Sequence, residues 1–489
     1  MSTTATRAPL GANYRKLFAS ATAANLGDGL MSVAMVWLAS AVTRDALAIA
    51  LVGVASRIPW LLFSLPAGVI TDRVDRRRLV AWMDVVRVVV VAALGAVVLR
   101  YQQDLPTPEQ LAAGAPEPAS GPLLVAALCA ASLLLGCAEV LRDNTAQTLM
   151  PSVVRSDQLE KANGRMWAAE TTMNSFVGPP LAGILLAVAL AVPFLVNAGL
   201  LAVSAALVFA LVGTFRPRGE DVERSRRIDW KGEIGEGLRW LWSHRLIRTL
   251  AILLGILNLL SNIAFVVSVL FVQEVLGLYE GWQFGLVTTG FAAGAVLGSL
   301  LAERVTARLS PGTALVVSIV GMGAATTLMG LLPWAVAFWL CGLVGGVFIV
   351  VWNVITVSLR QRLILDRLLG RVNSVYRFFG WGTISIGTVL GGALVTLGEG
   401  VVPREWALRG VFLLAGVGHF LVLGYALRRV STAEIRAAEA AAAAETGVAD
   451  DLPDAGQHLD EQVADGVPGP AAGTAAGNVD GASPAVREQ

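Results

Sequence analysis

The sequence predicts an all-α membrane protein: twelve transmembrane helices in two pseudo-symmetric six-helix halves. Three observations predict it. Of 489 residues, 55% are hydrophobic and only 15% charged, where soluble domains carry roughly 25% charged residues. Apolar runs of bilayer-crossing length, about 20 residues, recur as far as residue 427. Features of the first half return in the second in the same order.

The runs fall at 17–43, 46–71, 79–99, 122–141, 167–188 and 192–213, then at 250–273, 284–302, 313–332, 334–357, 375–396 and 408–427. The stretches 167–213 and 313–357 are each too long for one span at about 1.5 Å per helical residue. Each is therefore divided at a short proline-containing break, at Pro193 and at Pro333. Basic residues set the orientation. One set of loops carries Arg7, Arg15 and Lys16, then Arg73, Arg76, Arg77 and Arg78, then Arg142, Arg155, Lys161 and Arg165. The same set continues with Arg304, Arg308, Arg360, Arg362, Arg367, Arg371, Arg428 and Arg429. The opposite loops hold little beyond Arg44, Arg100, Arg404 and Arg409. By the positive-inside rule both termini are cytoplasmic, as an even number of spans requires, in a multi-pass protein of the cytoplasmic (inner) membrane.

Between and beyond the spans lie four segments. Residues 1–16 are a cytoplasmic lead with no convincing cleavage site for a removed signal peptide. Residues 101–121 form a Pro/Ala-rich external loop. Residues 214–249 link the first half (17–213) to the second (250–430), and within the link GEIGEGLRWLWSHRLI reads as a basic amphipathic helix on the bilayer surface. Residues 431–489 hold eleven acids and two arginines with almost no large apolar residue. AEIRAAEAAAAAE there suits a short helix, and the rest has the composition of a disordered acidic tail. The tail masks the basic membrane part, so the net charge is only +1 and nothing points to nucleic acid. Cys129, Cys137 and Cys341 all lie in apolar runs, without metal-ligand spacing, and read as small packing residues.

The echo between halves is specific. GVITDRVDRRRL (68–79) resembles GSLLAERVTARL (298–309) after one gap. Asn144 precedes Asn163 by 19 residues, and Asn353 precedes Asn373 by 20. GPPLAG (178–183) matches GTVLGG (387–392). Two parallel six-helix repeats place a substrate path between the halves.

The stretch 68–77 resembles the signature loop of the major facilitator superfamily, glycine-x-x-x-Asp-Arg-x-Gly-Arg-Arg/Lys, through Gly68, Asp72, Arg73, Arg76 and Arg77. Asp75 stands where the signature has glycine. That departure, DVVR (84–87) and RDNTAQTLMPSVVRSDQLEKANG (142–164) are similar to the branch of drug–proton antiporters that holds macrolide efflux proteins and the enterobactin exporter. The resemblance covers roughly residues 13–430. It implies a latch: Asp72 facing the start of span 11 near residues 373–377, with Arg73 and Arg76 bonded to acids at the end of span 4, Glu139 and Asp143. A loop that only holds topology by positive charge is the plainer reading, preferred for Arg77 and Arg78. NSFVGPPLAG (174–183) resembles the exporters' antiporter motif, with Asn174 and Ala182 at two of its glycine positions. Gly178 and Gly183 allow close helix approach and Pro179–Pro180 bend the span; plain tight packing explains the same residues.

Ionisable groups at membrane depth cost about 2.5–3.5 kcal/mol each on insertion scales, so those present are paired or face water. Asp28 in span 1 and Arg57 in span 2 are expected to face the central cavity and to pair, with Asp28 as the coupling carboxylate or as half of a fixed ion pair. Asp84 and Arg87, three apart, share a helix face and extend the latch. Glu139 and Glu170 are placed near cytoplasmic ends. Asn258 and Asn262 on span 7 bond substrate or a neighbouring helix; His419 is a satisfied packing histidine. Trp37, Trp60, Trp352, Phe265 and Phe378 are candidate linings of an apolar drug-sized cavity. There is no Walker loop, metal constellation or nucleophile–base pairing, which argues against an ATP-driven pump or an enzyme. No cofactor or metal is expected; the proton gradient supplies energy. The reading is a monomeric, proton-coupled exporter of bulky amphipathic compounds, macrolide-like or other drugs, that works by rocking of its halves within the lipid bilayer. A siderophore or natural-product exporter and a non-transporting membrane sensor or scaffold are its rivals.

Overall fold

A computed structural model of the chain describes residues 10–71, 73–155, 158–215, 230–364 and 366–446. Residues 1–439 form one compact unit and 440–489 another. Among the described residues twelve helices are long and apolar enough to cross a membrane. In the first half they are α1 (Gly11–Val42), α2 (Ala46–Thr71), α3 (Arg76–Tyr101), α5 (Gly121–Val153), the pair α6 (Leu159–Thr171) and α7 (Gly178–Val188), and α8 (Val192–Phe209). A short α4 (Pro108–Ala112) lies in the Pro/Ala-rich loop. After α9 (Trp230–Ser243), the second half runs α10 (Arg245–Phe265) with α11 (Ser268–Glu274), α12 (Gly281–Arg308), α13 (Pro311–Leu331), α14 (Ala335–Leu363), α15 (Asp366–Gly398) and α16 (Arg404–Arg429). α17 (Thr432–Thr446) follows. The rest of the acidic tail and Asp72 lie outside the described residues.

Several helices overrun their apolar runs. α5 continues to Val153 and α15 starts at Asp366, so polar residues expected in loops lie inside helices. The break expected at Pro193 falls just before it, between Val188 and Val192, with Pro193 in the first turn of α8, and the one expected at Pro333 falls between Leu331 and Ala335. Two interruptions carry no apolar signature. One parts α10 from α11 at Val266–Val267. The other is a π-turn at Thr172–Val177, closed by the Gly178 N–H on the Met173 carbonyl. Pro179 and Pro180 supply no N–H to the turn before them, which leaves the wider turn as the way on.

Glycine sets the closest approaches. A Cβ at Gly290, Gly294 or Gly298 of α12 would lie 2.4, 2.0 or 2.8 Å from the carbonyls of Trp339, Leu343 and Val347 on α14. Fourfold spacing on both helices gives one continuous seam. Elsewhere the second half packs on aromatic rings: Phe271 lies 5.7 Å from Phe338 and 4.6 Å from Phe412. In α9, Leu241 is buried while Leu238 and Trp242 are exposed, an apolar stripe suited to a bilayer surface.

The halves meet along two seams. On α7–α12, a Cβ on Gly183 would lie 2.4 Å from the Trp282 Cα, and one on Gly285 2.6 Å from the Pro179 carbonyl. On α2–α15, a Cβ on Gly392 would lie 2.7 Å from the Ala46 carbonyl, and Trp60 stacks on Trp381 at 5.8 Å. Gly183 of GPPLAG and Gly392 of GTVLGG are therefore inter-half contacts, while Gly178 packs on Gly29 and Gly387 and Gly391 on α10 within their own halves.

Filling the α12–α14 seam should be costly. We expect Gly294→Val to destabilise the detergent-solubilised protein by about 1–3 kcal/mol or more, as overpacking does. Gly424→Ala, with open space around it, should stay within about 0.5 kcal/mol of wild type. Thermal melting of both variants checks this.

Candidate functional site

Inside the first half, charges of alternating sign run across three helices. Asp28 of α1 accepts from Arg87 Nη2 of α3. Arg87 Nη1 lies 3.6 Å from Asp84 Oδ1 on the same helix. Asp84 Oδ1 accepts from Arg142 Nε of α5 at 2.9 Å, and Arg142 Nη1 donates to Asp143 at 2.9 Å. A fourth helix joins through Ser204 of α8, which donates to Asp84 Oδ2 at 2.6 Å and meets Ser20 of α1 at 2.8 Å. Asp84 is fully buried, Arg87 is 3% exposed and Arg142 5%. The chain reaches more open surroundings only at its ends, where the Asp28 side chain is 20% exposed and that of Asp143 34%.

This geometry corrects four expectations. Asp28 pairs with Arg87, not with Arg57; the Arg57 guanidinium instead lies 5.3 Å over the Trp381 ring on the α2–α15 seam. Asp84 and Arg87 are no extension of the surface loop but the middle of a buried network. Glu139 is not at a helix end. Because α5 runs on to Val153, Glu139 lies well inside it, within electrostatic range of Asp28, Asp143, Arg87 and Arg57. Among the described residues Glu139 has no hydrogen-bonding partner, whereas Asp143 is held by Arg142. For the same reason Arg142, expected in a loop, is buried.

The described residues of the charged loop bond the end of their own half. Arg73 is exposed. The Arg76 N–H donates to the Phe215 carbonyl and Arg77 Nη1 to that of Leu211, tying the loop to the end of α8. Asp75 caps α3 by accepting from the Arg78 N–H. Asp72 and the side-chain surroundings of Gly68 lie outside the described residues. In the antiporter-like stretch, a Cβ on Gly178 would lie 2.5 Å from the Gly29 Cα, one residue from Asp28. Asn262 donates to the Asn258 carbonyl at 2.8 Å. Trp37 and Trp352 are buried, while Phe265 and Phe378 are exposed. His419 bonds the Ala415 carbonyl through Nδ1, but its buried Nε2 has no partner, so it is only half satisfied.

Sequence reasoning missed a second cluster, at the end away from the termini. Arg44, between α1 and α2, donates to Gln273 at 2.5 Å and lies 3.4 Å from Glu274, both on α11. Its backbone N–H donates to Glu117 at 2.7 Å. Arg404 of α16 grips Glu274 through Nε at 2.5 Å and Nη2 at 3.0 Å, and also bonds Glu399 and the Arg44 carbonyl. Gln273 donates to Ser40, and Thr396 to Asp45. Hydrogen bonds here join the two halves, from Arg44 to Gln273, from Gln273 to Ser40, from Thr396 to Asp45 and from Arg404 to the Arg44 carbonyl. Burial lowers the Arg44 pKa, against the pull of Glu274. Burial likewise raises that of Glu399, opposed by Arg404. The signal was present: Arg44 and Arg404 break the positive-inside pattern and sit where loops avoid arginine.

Comparison with known proteins agrees with this architecture. The profile of the transmembrane secretion effector family matches residues 4–452. The multidrug efflux pump Tap of Mycobacterium tuberculosis (strain ATCC 25618 / H37Rv) is 27% identical over 396 residues, covering 78% of this chain and 87% of the relative. The enterobactin exporter EntS of Escherichia coli O1:K1 / APEC is 27% identical over 194 residues, 38% of this chain and 44% of the relative. Among solved structures, the nucleoside transporter NupG superposes with a TM-score of 0.61 at 12% identity, covering 86% of this chain and 99% of that one. A bacterial homologue of the iron transporter ferroportin gives 0.60 at 17%, covering 84% and 98%.

The buried network makes a graded prediction. Asp84→Asn leaves two arginines underpaired and should cost about 3–5 kcal/mol. Asp28→Asn leaves Arg87 with Asp84 and should cost less than half of that. Melting curves at fixed lipid and detergent measure the order.

Proposed function

This chain belongs to the transmembrane secretion effector family of major facilitator transporters, and from that premise we propose that it exports bulky amphipathic compounds in exchange for protons. The observation that carries the reading is the buried chain of alternating charge with Asp28 at its accessible end. A carboxylate that holds Arg87 binds a proton only by weakening that pair, so its protonation and the packing of α1 on α3 and α7 are linked. Glu139, facing the same charges without a partner of its own, is the second acid of the site.

Alternating access follows from the seams. With the termini on the cytoplasmic side, as the arginine bias supports, the Arg44–Glu274–Arg404 cluster is an external clasp. While it holds, the path between the halves is closed outside. Exchange requires that only two forms cross over: the empty protonated carrier moving inward, and the deprotonated carrier with its cargo moving outward. Asp28 takes its proton from outside and releases it inside, where cargo replaces it. The glycine contacts of α7–α12 and α2–α15 let the halves roll against each other with little side chain to displace. The protein works as a monomer in the cytoplasmic membrane and uses the proton gradient without cofactor or metal.

Export of a siderophore or other natural product by the same cycle is the second reading, favoured by the partial match to the enterobactin exporter. In everted vesicles energised by a proton gradient, accumulation of macrolides and fluorescent amphipathic cations should exceed the gradient-free level at least tenfold. Asp28→Asn should abolish the proton dependence. Full proton-driven transport by Asp28→Asn would refute the coupling, and purified protein that moves no cargo would favour a sensor or scaffold.

A further inference from the structure

We propose that the second half contains a subsite of its own for an aryl ring, set apart from the charged site of the first half. A cavity of about 190 Å³ lies behind α10–α11, walled by α12, α13, α14 and α16, so every wall belongs to the second half. Four phenylalanines line it: Phe265, Phe291, Phe338 and Phe412. Phe338 and Phe412 are 1% and 2% exposed and form the floor, while Phe265 is 50% exposed, so the cavity opens beside Phe265. Phe265 and Phe291 meet edge to face at 6.1 Å, as do Phe338 and Phe412.

Size and lining select the occupant. An apolar protein cavity of about 150 Å³ stays dry and takes benzene, so this one has room for a substituted ring. Aromatic walls offer a guest ring the offset and edge-to-face contacts that an alkyl chain cannot use, worth about 0.5–1.5 kcal/mol per pair beyond burial. Met322, Met329 and Cys341 add sulfur to the wall, and sulfur–ring contacts are favourable. Polar residues enter the wall on α10, α11 and α13, through Ser261, Asn262, Ser268 and Thr326. Ser261 and Ser268 line the cavity, and neither hydroxyl bonds another described residue. These hydroxyls are left to a guest, so the site suits a ring bearing a polar substituent. That the guest is cargo rests on the exporter reading; the cavity's preference for an aryl ring does not.

Cys341 in the cavity wall is a native reporter. In the C129S, C137S protein, alkylation by N-phenylmaleimide is compared with alkylation by N-methylmaleimide. The ratio of the two rates is set against the ratio at Cys129 in the C137S, C341S protein. At Cys341 the phenyl preference should be at least tenfold larger. Ala325→Phe, which fills the cavity, should remove it. So should Gly345→Val, since a Cβ there meets only ordinary contacts at 3.7 and 3.9 Å and the fold should persist. Equal preference at the two cysteines, or a preference that survives both substitutions, overturns the subsite. If no cargo moves in vesicles yet the cavity-dependent preference stands, the exporter reading fails and the subsite remains. If transport stands, Ala325→Phe should raise KM for rhodamine 6G at least fivefold, and an unchanged KM overturns the assignment of the ring to cargo.

Discussion

Asp84 carries more of this structure than any other side chain. A guanidinium buried between helices must be matched by negative charge or its desolvation cost is left uncompensated, and Asp84 faces two, Arg142 and Arg87. With the Ser204 hydroxyl on its other oxygen, this one carboxylate ties α3, α5 and α8 together and reaches α1 through Arg87 and Ser20. The order of the first half follows from that demand. In the second half a buried guanidinium, Arg409, is matched by Glu405 and the Gly330 carbonyl, while its spans pack along glycine seams and phenylalanine clusters. The connected chain of alternating buried charge lies in the first half, and the close glycine and aromatic packing dominates the second.

The spans were legible because bilayer thickness imposes a length and an apolar composition that no other structure needs. The breaks beside Pro193 and at Pro333 were legible for a related reason, since each undivided stretch was too long to be one helix. Hydropathy fails where a helix continues past its apolar part. The extension of α5 to Val153 moved Glu139 and Arg142 from an expected loop edge into the bundle, and with them the identity of the charge network. Pairing failed in the same way. Asp28 and Arg57 lie in neighbouring spans, and nothing in a linear sequence says that Arg87 is nearer. The break between α10 and α11 was hidden inside a run that is apolar throughout.

Arg44 and Arg404 teach the opposite lesson, because their signal was visible and went unused. Basic residues are sparse at that end, so those present have a local reason to be there, and Glu274 is the reason. Two arginines on one carboxylate, partly screened from water, join the halves side chain to side chain. The glycine seams beneath it have the complementary property: they give close contact without the interlocking side chains that would fix one orientation. Together they give the boundary between the halves close glycine contacts and, at one rim, an ionic cluster.

Rocking of the halves linked to protonation of Asp28 is most directly tested by two spin-label distances in a cysteine-free protein in nanodiscs. One pair, at Asp104 and Glu280, spans the halves at the clasp end; the other, at Lys161 and Arg308, spans them at the opposite end. Raising the pH from about 5.5 to 8.5 should widen the first distance and shorten the second, and Asp28→Asn should keep the low-pH distances at both values. Distances that ignore pH in the protein with Asp28, or that still respond to it in Asp28→Asn, would contradict the link between that carboxylate and the motion.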